Sequence, residues 1–160
     1  MSKSLIFIWM ALLCINVHAQ VPSAKVETIT GEKVDIRDML KDKITVISFW
    51  SSVCKPCIAE LDAINDVIAD WHSKANFQMI IIAIDDSRSL AKAKSLINGH
   101  NWNYIALFDK NQDMKRSFGV NFIPHVFVYD TNGKQVYSHT GYNPGGEDDV
   151  FNAIQKIQKH

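Results

Sequence analysis

Residues 44 to 71, ITVISFWSSVCKPCIAELDAINDVIADW, change their hydrophobic period partway along. Ile44 to Trp50 is a β-branched and aromatic run of the kind buried in a central strand. From Pro56 onward the apolar residues Ile58, Leu61, Ile64, Ile68 and Trp71 recur every three or four positions, which is the spacing of one helix face. Pro56 suits a first helical turn, where its missing N–H costs nothing. A strand that runs directly into a helix places the intervening Cys54-Lys55-Pro56-Cys57 at the carboxyl end of that strand, the edge of a sheet where sites form.

Working outward, Phe77 to Ile84 (FQMIIIAI) reads as a second buried strand. Asp85-Asp86-Ser87 supplies caps for a helix running to about Asn98, with Gly99 as its stop. Tyr104 to Phe108 is a short strand, and Asn111 to Phe118 a short helix ended by Gly119. His125 to Tyr129 and Lys134 to Thr140 flank Asp130-Thr131-Asn132-Gly133, a hairpin signal. Glu147 to Gln158 closes the chain as a helix burying Val150, Phe151, Ile154 and Ile157. Toward the N-terminus, Ala24 to Ile29 suits a short edge strand, Thr30-Gly31-Glu32 a turn, and Asp35 to Leu40 a helical turn. The order implies an α/β fold, a mixed central sheet with helices on both faces, in which the βαβ unit from Ile44 to Ile84 crosses over right-handedly.

The chain has 160 residues and is 47% hydrophobic, enough for one domain with its own core and too short for a second catalytic domain. No repeat, low-complexity tract or linker interrupts residues 24 to 158. Lysine plus arginine (17) equals aspartate plus glutamate (17), so no charge excess points to nucleic acid or an acidic membrane surface. Partner choice must come from a local site.

The first residues, MSKSLIFIWMALLCINVHAQ, carry Lys3, an apolar run from Leu5 to Ile15, and Val17-His18-Ala19 as a small-residue cleavage signal. This is expected to be a signal peptide over residues 1–19, leaving a domain over residues 20–160. The alternatives are a retained anchor, for which the run falls short of the roughly 20 residues that span a bilayer, and lipid attachment at Cys14, where Leu13 is bulkier than lipoprotein signals carry. Cleavage removes Cys14, so that of three cysteines only Cys54 and Cys57 remain. Export to the periplasm or another extracytoplasmic face places that pair where disulfides persist and are exchanged.

One helical turn separates the two sulfurs at the N-terminus of a helix, where unpaired N–H groups and the dipole favour a thiolate. Cys54, before the helix, is expected to be the exposed nucleophile, and Cys57 the resolving thiol. Zinc needs about four ligands and no second pair appears at matching spacing. A structural disulfide across four residues closes too small a loop to stabilise much.

These residues resemble the thioredoxin superfamily and, more narrowly, the exported TlpA/ResA-like thioredoxins, over residues 24 to 158. The matching positions are Phe49-Trp50, Cys54-Lys55-Pro56-Cys57, Glu60, Ile123-Pro124 and Asp130-Thr131-Asn132-Gly133-Lys134. The strand and helix between Phe77 and Gly99 look like the βα insertion of that subfamily. The resemblance implies that Pro124 is a cis proline facing the Cys pair, with the Ile123 backbone free to pair with an extended substrate segment. It also implies that Glu60 takes the proton of the resolving thiol, against the alternative of a solvated helix-surface glutamate. Trp50 and Phe49 are expected to pack under the motif, with Trp50 counted beside Ile123, Lys55 and His125 among the residues nearest a substrate. His125 either approaches the sulfurs or points away along its strand.

Two departures stand out. Val53 occupies a position where many relatives have Trp, and Ser48 one where thioredoxin has a buried aspartate. A hydroxyl cannot accept a proton at neutral pH as a carboxylate does.

The expected activity is therefore a thiol–disulfide oxidoreductase with no cofactor beyond the Cys54–Cys57 pair itself. It would act as a monomer on disulfide-containing exported proteins, apocytochrome c among those implied by the resemblance, with a membrane thiol reductase upstream and no nucleic acid. Pro56 leans toward a reductant; DsbA-like oxidants place His there, and a DsbA-like direction stays open. So do a Cu(I) metallochaperone using His125 or His139 as a third soft-metal ligand, and a peptide-binding module.

Overall fold

A computed structural model of the chain describes residues 21–159; the expected signal peptide, with Cys14, lies outside these. Seven strands form one sheet in the order β2-β1-β5-β4-β3-β6-β7. In chain order the elements are β1 (Lys25–Thr28), β2 (Lys33–Asp35), α1 (Ile36–Met39), β3 (Ile44–Trp50), α2 (Lys55–Lys74), β4 (Phe77–Ala83), α3 (Leu90–Gly99), β5 (Ile105–Phe108), α4 (Asp113–Ser117), β6 (His125–Tyr129), β7 (Gln135–Thr140) and α5 (Glu147–Gln158).

The sheet is mixed: β3, β4 and β5 run parallel, and β6, β7, β1 and β2 pair antiparallel with their neighbours. All seven residues of β3 are buried, as a strand covered on both faces requires. Successive side chains alternate between faces. Val46 and Trp50 pack with Cys57, Leu61 and Ile64 of α2, with Ala93 and Ile97 of α3, and with Val150 and Ile154 of α5. Ile47 and Phe49 pack on the other face with Ile36 of α1 and Met114 of α4. Each fully buried aliphatic or aromatic side chain contributes about 1.5–3 kcal/mol by leaving water.

The strand and helix expected between Phe77 and Gly99 are present as β4 and α3. The strand is integral to the sheet, paired with β3 along its whole length and with β5 along part of it. The hairpin forms as its sequence demands: the Asp130 carboxylate accepts from the N–H groups of Asn132 and Lys134, and Gly133 takes a left-handed φ of 74°.

Two local expectations are corrected. Ala24 to Ile29 does not form an edge, because β2 pairs along its outer side; that strand is only three residues long, too short for alternation to show. The Asp85-Asp86-Ser87 segment does not cap α3 directly. The helix begins at Leu90 after Ser89, and Asp86 closes a turn by accepting from the N–H groups of Arg88 and Ser89.

Candidate active site

Strand β3 delivers the chain to the sheet edge at Trp50, and after four intervening residues α2 begins at Lys55. Cys54 is the N-cap of α2, with extended backbone, and its Sγ accepts from the Cys57 N–H at 3.3 Å. A sulfur thus stands where Ser or Asp ordinarily caps a helix. Cys54 and Cys57 are joined in a disulfide, their Cα atoms 5.3 Å apart. Cys54 is partly exposed, whereas Cys57 is fully buried. Lys55 and Pro56 between them face solvent.

The Ser51-Ser52-Val53 turn that presents Cys54 is tied down from the neighbouring strand. Asp85, just past the end of β4, is buried, and its carboxylate accepts from both the backbone N–H and the hydroxyl of Ser52. The Cys54 N–H donates to the Ser51 carbonyl at 3.1 Å. The anchoring role of Asp85 was not legible as such, since two acids before a helical pattern read first as caps. Its place immediately after a strand parallel to β3 was the signal that it lies at the same sheet edge as the Cys motif.

The Ile123–Pro124 peptide bond is cis. Antiparallel pairing aligns Phe49 with His125, so Pro124 follows at the register of Trp50, at the end of β3 from which the Cys motif springs. Pro124 is buried and Ile123 partly exposed beside it, packing on both hydrophobic clusters. Phe122 and Val53 lie 75% and 73% exposed, one just before the Ile123–Pro124 bond and the other just before Cys54. Two large apolar groups in water at the mouth of the site form a feature that the sequence reading saw only in part, as the loss of a Trp at Val53.

Trp50 does not reach a substrate. It is fully buried and packs edge-on against Trp102 with ring centroids 5.1 Å apart, so it supports the motif from beneath. His125 shares the face of Phe49, opposite to that of Trp50 and Cys57. Its ring stacks on Phe127 at 4.4 Å and its Nδ1 lies 3.0 Å from Thr140 Oγ1. Burial, and secondarily His139, lowers its pKa.

Glu60 lies on the same face of α2 as Cys57, one turn on, and is fully buried. Its Oε1 is 2.6 Å from His139 Nε2, and its Oε2 has no partner among the described residues. Desolvation raises the pKa of this carboxyl, while the hydrogen bond and charge of His139 pull it back down. Ser48, in the middle of β3, is buried with its hydroxyl likewise unpartnered among the described residues.

The AhpC/TSA family profile matches residues 17–138. The thiol–disulfide oxidoreductase ResA of Bacillus thuringiensis strain Al Hakam is 28% identical over 121 residues, covering 76% of this chain and 68% of that protein. A thioredoxin-like protein of Porphyromonas gingivalis has a similar structure, with a TM-score of 0.76 and 39% identity over 90% of this chain and 95% of that one. A secreted Mycobacterium tuberculosis disulfide oxidoreductase shares the fold, with a TM-score of 0.68 at 20% identity over 83% of this chain and 95% of its own. A partly exposed and a buried cysteine share the start of one helix, and the chain belongs to the AhpC/TSA family as a thioredoxin-like thiol–disulfide oxidoreductase of the ResA type.

Proposed function

We propose that the protein is an exported monomeric reductase that opens disulfides in other exported proteins, apocytochrome c among them, and is itself recharged by a membrane thiol reductase. The observation that carries this reading is the asymmetry of the pair, Cys54 partly exposed at the helix N-cap and Cys57 wholly buried behind it. Export rests on the composition of residues 1–19. Among the described residues no helix is long and apolar enough to cross a membrane.

In the reduced protein the Cys54 thiolate, favoured by the Cys57 N–H and the helix N-terminus, attacks one sulfur of a substrate disulfide. The substrate S–S bond breaks, its other sulfur leaves as a thiolate and takes a proton from water, and a Cys54–substrate mixed disulfide remains. The Cys57 thiol gives its proton to Glu60, and the resulting thiolate attacks Cys54 Sγ. The second substrate thiolate leaves, and the Cys54–Cys57 disulfide is formed. Two electrons have passed from the pair to the substrate. The Ile123 backbone and the Lys55 side chain flank the incoming segment, which pairs briefly as an added strand.

Copper binding through Cys54, Cys57 and an imidazole finds no support in the site. His125 is turned to the opposite face, and His139 is engaged by Glu60.

The test is trapping. Cys57→Ala leaves Cys54 unable to be resolved, so exported thiol proteins should accumulate on it as mixed disulfides that dithiothreitol releases; no adduct would refute the reductase. Direction is tested by the reduction potential, expected nearer the roughly −270 mV of thioredoxin than the roughly −120 mV of DsbA.

A further inference from the structure

Glu60 is a poor proton acceptor where it lies unless something holds it ionised. A carboxyl stripped of water favours its neutral form, and a neutral Glu60 cannot take the Cys57 proton. Its only side-chain partner among the described residues is His139 on β7, reached across the width of β6: Ser48 pairs with Val126 and Val126 with His139, placing all three on the face covered by α2. His139 is itself oriented by Tyr137, whose hydroxyl lies 3.1 Å from Nδ1. With that hydroxyl donating to Nδ1, Nε2 carries the hydrogen and points it at Glu60 Oε1.

The geometry points to His139 as the positioning residue that keeps Glu60 in its proton-accepting form, with Oε1 held by the imidazole and Oε2 left free for the proton of Cys57. The inference rests on the proposed role of Glu60 and deepens it. The unpartnered Oε2 is the observation that gives the dyad a direction, since one oxygen is held and the other is open.

His139 also gives the buried acid an outlet. Its ring lines a solvent-open cleft of about 350 Å³ bounded by Tyr137, Tyr142, Gly145 and Asp149, on the β7–α5 side of the molecule. A proton taken from Cys57 therefore has a path to water that does not pass through the substrate-covered mouth of the site.

The charged and titratable groups around the dyad are Cys57 on α2, Tyr137 on β7, Tyr142 in the following loop, Glu147 and Asp149 at the start of α5, and His125 on β6. Glu147 acts on Glu60 in the opposite sense to His139, raising it by like charge. None of the others offers Glu60 a hydrogen bond.

The test is the pH dependence of the resolving step, measured by stopped flow as release of a thiol from a preformed Cys54 mixed disulfide. Four proteins are compared: wild type, Glu60→Gln, His139→Gln and His139→Phe. Removing His139 leaves desolvation unopposed, so the acceptor form of Glu60 appears only at higher pH. The midpoint of the His139→Phe profile should rise by about one pH unit, with the rate about tenfold lower below the midpoint. His139→Gln keeps a hydrogen-bond donor and should rise by less. If His139→Phe does not fold, the His139→Gln midpoint decides alone. A midpoint unmoved in the folded His139 variants but displaced in Glu60→Gln overturns the role of His139 and spares that of Glu60. A Glu60→Gln profile identical to wild type overturns both.

Discussion

Asp85 holds the turn before the nucleophile, and Asp85→Ala should show by how much. The carboxylate accepts two hydrogen bonds, from the Ser52 N–H at 2.9 Å and from the Ser52 hydroxyl, and Ser52 is itself buried. Bonds to an ionised group contribute about 1.5–3 kcal/mol, and a buried N–H left unpaired costs about 1–3 kcal/mol, partly offset because the unfolded carboxylate of the wild type regains water. The net loss for Asp85→Ala is about 3 kcal/mol, which in a domain of this size lowers Tm by about 6–12 °C. Asp85→Asn keeps an acceptor for the N–H and a donor for the hydroxyl oxygen, and should lose only about 1 kcal/mol because neutral bonds are about half as strong. The assay is urea and thermal denaturation of the oxidised protein, with Ser52→Ala and the double variant completing a cycle. Direct contact predicts a coupling of about 1–2 kcal/mol. If the two single losses add to within about 0.5 kcal/mol, Asp85 stabilises the fold by some route other than the Ser52 hydroxyl. The same loosening should slow insulin reduction, because the Cys54 N–H is tied to Ser51 in the clamped turn.

Ile64→Ala should cost about 2–5 kcal/mol, read from urea midpoints, because Ile64 is fully buried between α2 and the sheet and the cavity cannot refill. Glu60 titrates higher folded than unfolded, so the stability it adds is complete below its unfolded pKa and is lost as pH rises through the raised folded value. Urea midpoints taken upward from pH 4 should therefore fall more steeply in wild type than in Glu60→Gln, and parallel curves would contradict the burial argument. Phe122→Ser should leave the unfolding free energy within about 0.5 kcal/mol of wild type, since the side chain is 75% exposed. Its effect should appear instead as a raised KM for protein substrates with kcat unchanged.

Much of the fold was legible because its signals are local. The change of period at Pro56, the unbroken apolar run of β4 and the Asp-Thr-Asn-Gly turn each act within a few residues, and α5 runs over Glu147–Gln158 as its apolar spacing implies. The Cys motif was legible for the same reason, since four residues between a strand and a helix define its place. What stayed hidden depends on register between distant strands. His139 gains its meaning only because β7 lies beside β6 and faces α2, and nothing within Gln135–Thr140 announces a partner on a helix that begins at Lys55. Asp85 and β2 stayed hidden for related reasons: a carboxylate that could cap a helix is used across a sheet edge, and a three-residue strand carries too little pattern to be seen.

The sulfur that caps α2 is also the sulfur that reacts, so folding and electron transfer share one thermodynamic cycle. Whatever free energy the helix terminus gives to a Cys54 thiolate beyond what it gives to the disulfide, whose Cys54 Sγ the Cys57 N–H already reaches, must reappear as a difference in unfolding free energy between the reduced and oxidised proteins. A gap of 1.4 kcal/mol between those two stabilities corresponds to about 30 mV. Denaturing each form separately, and referring the difference to the potential of the unfolded dithiol, would therefore yield the redox poise of this protein without a redox buffer.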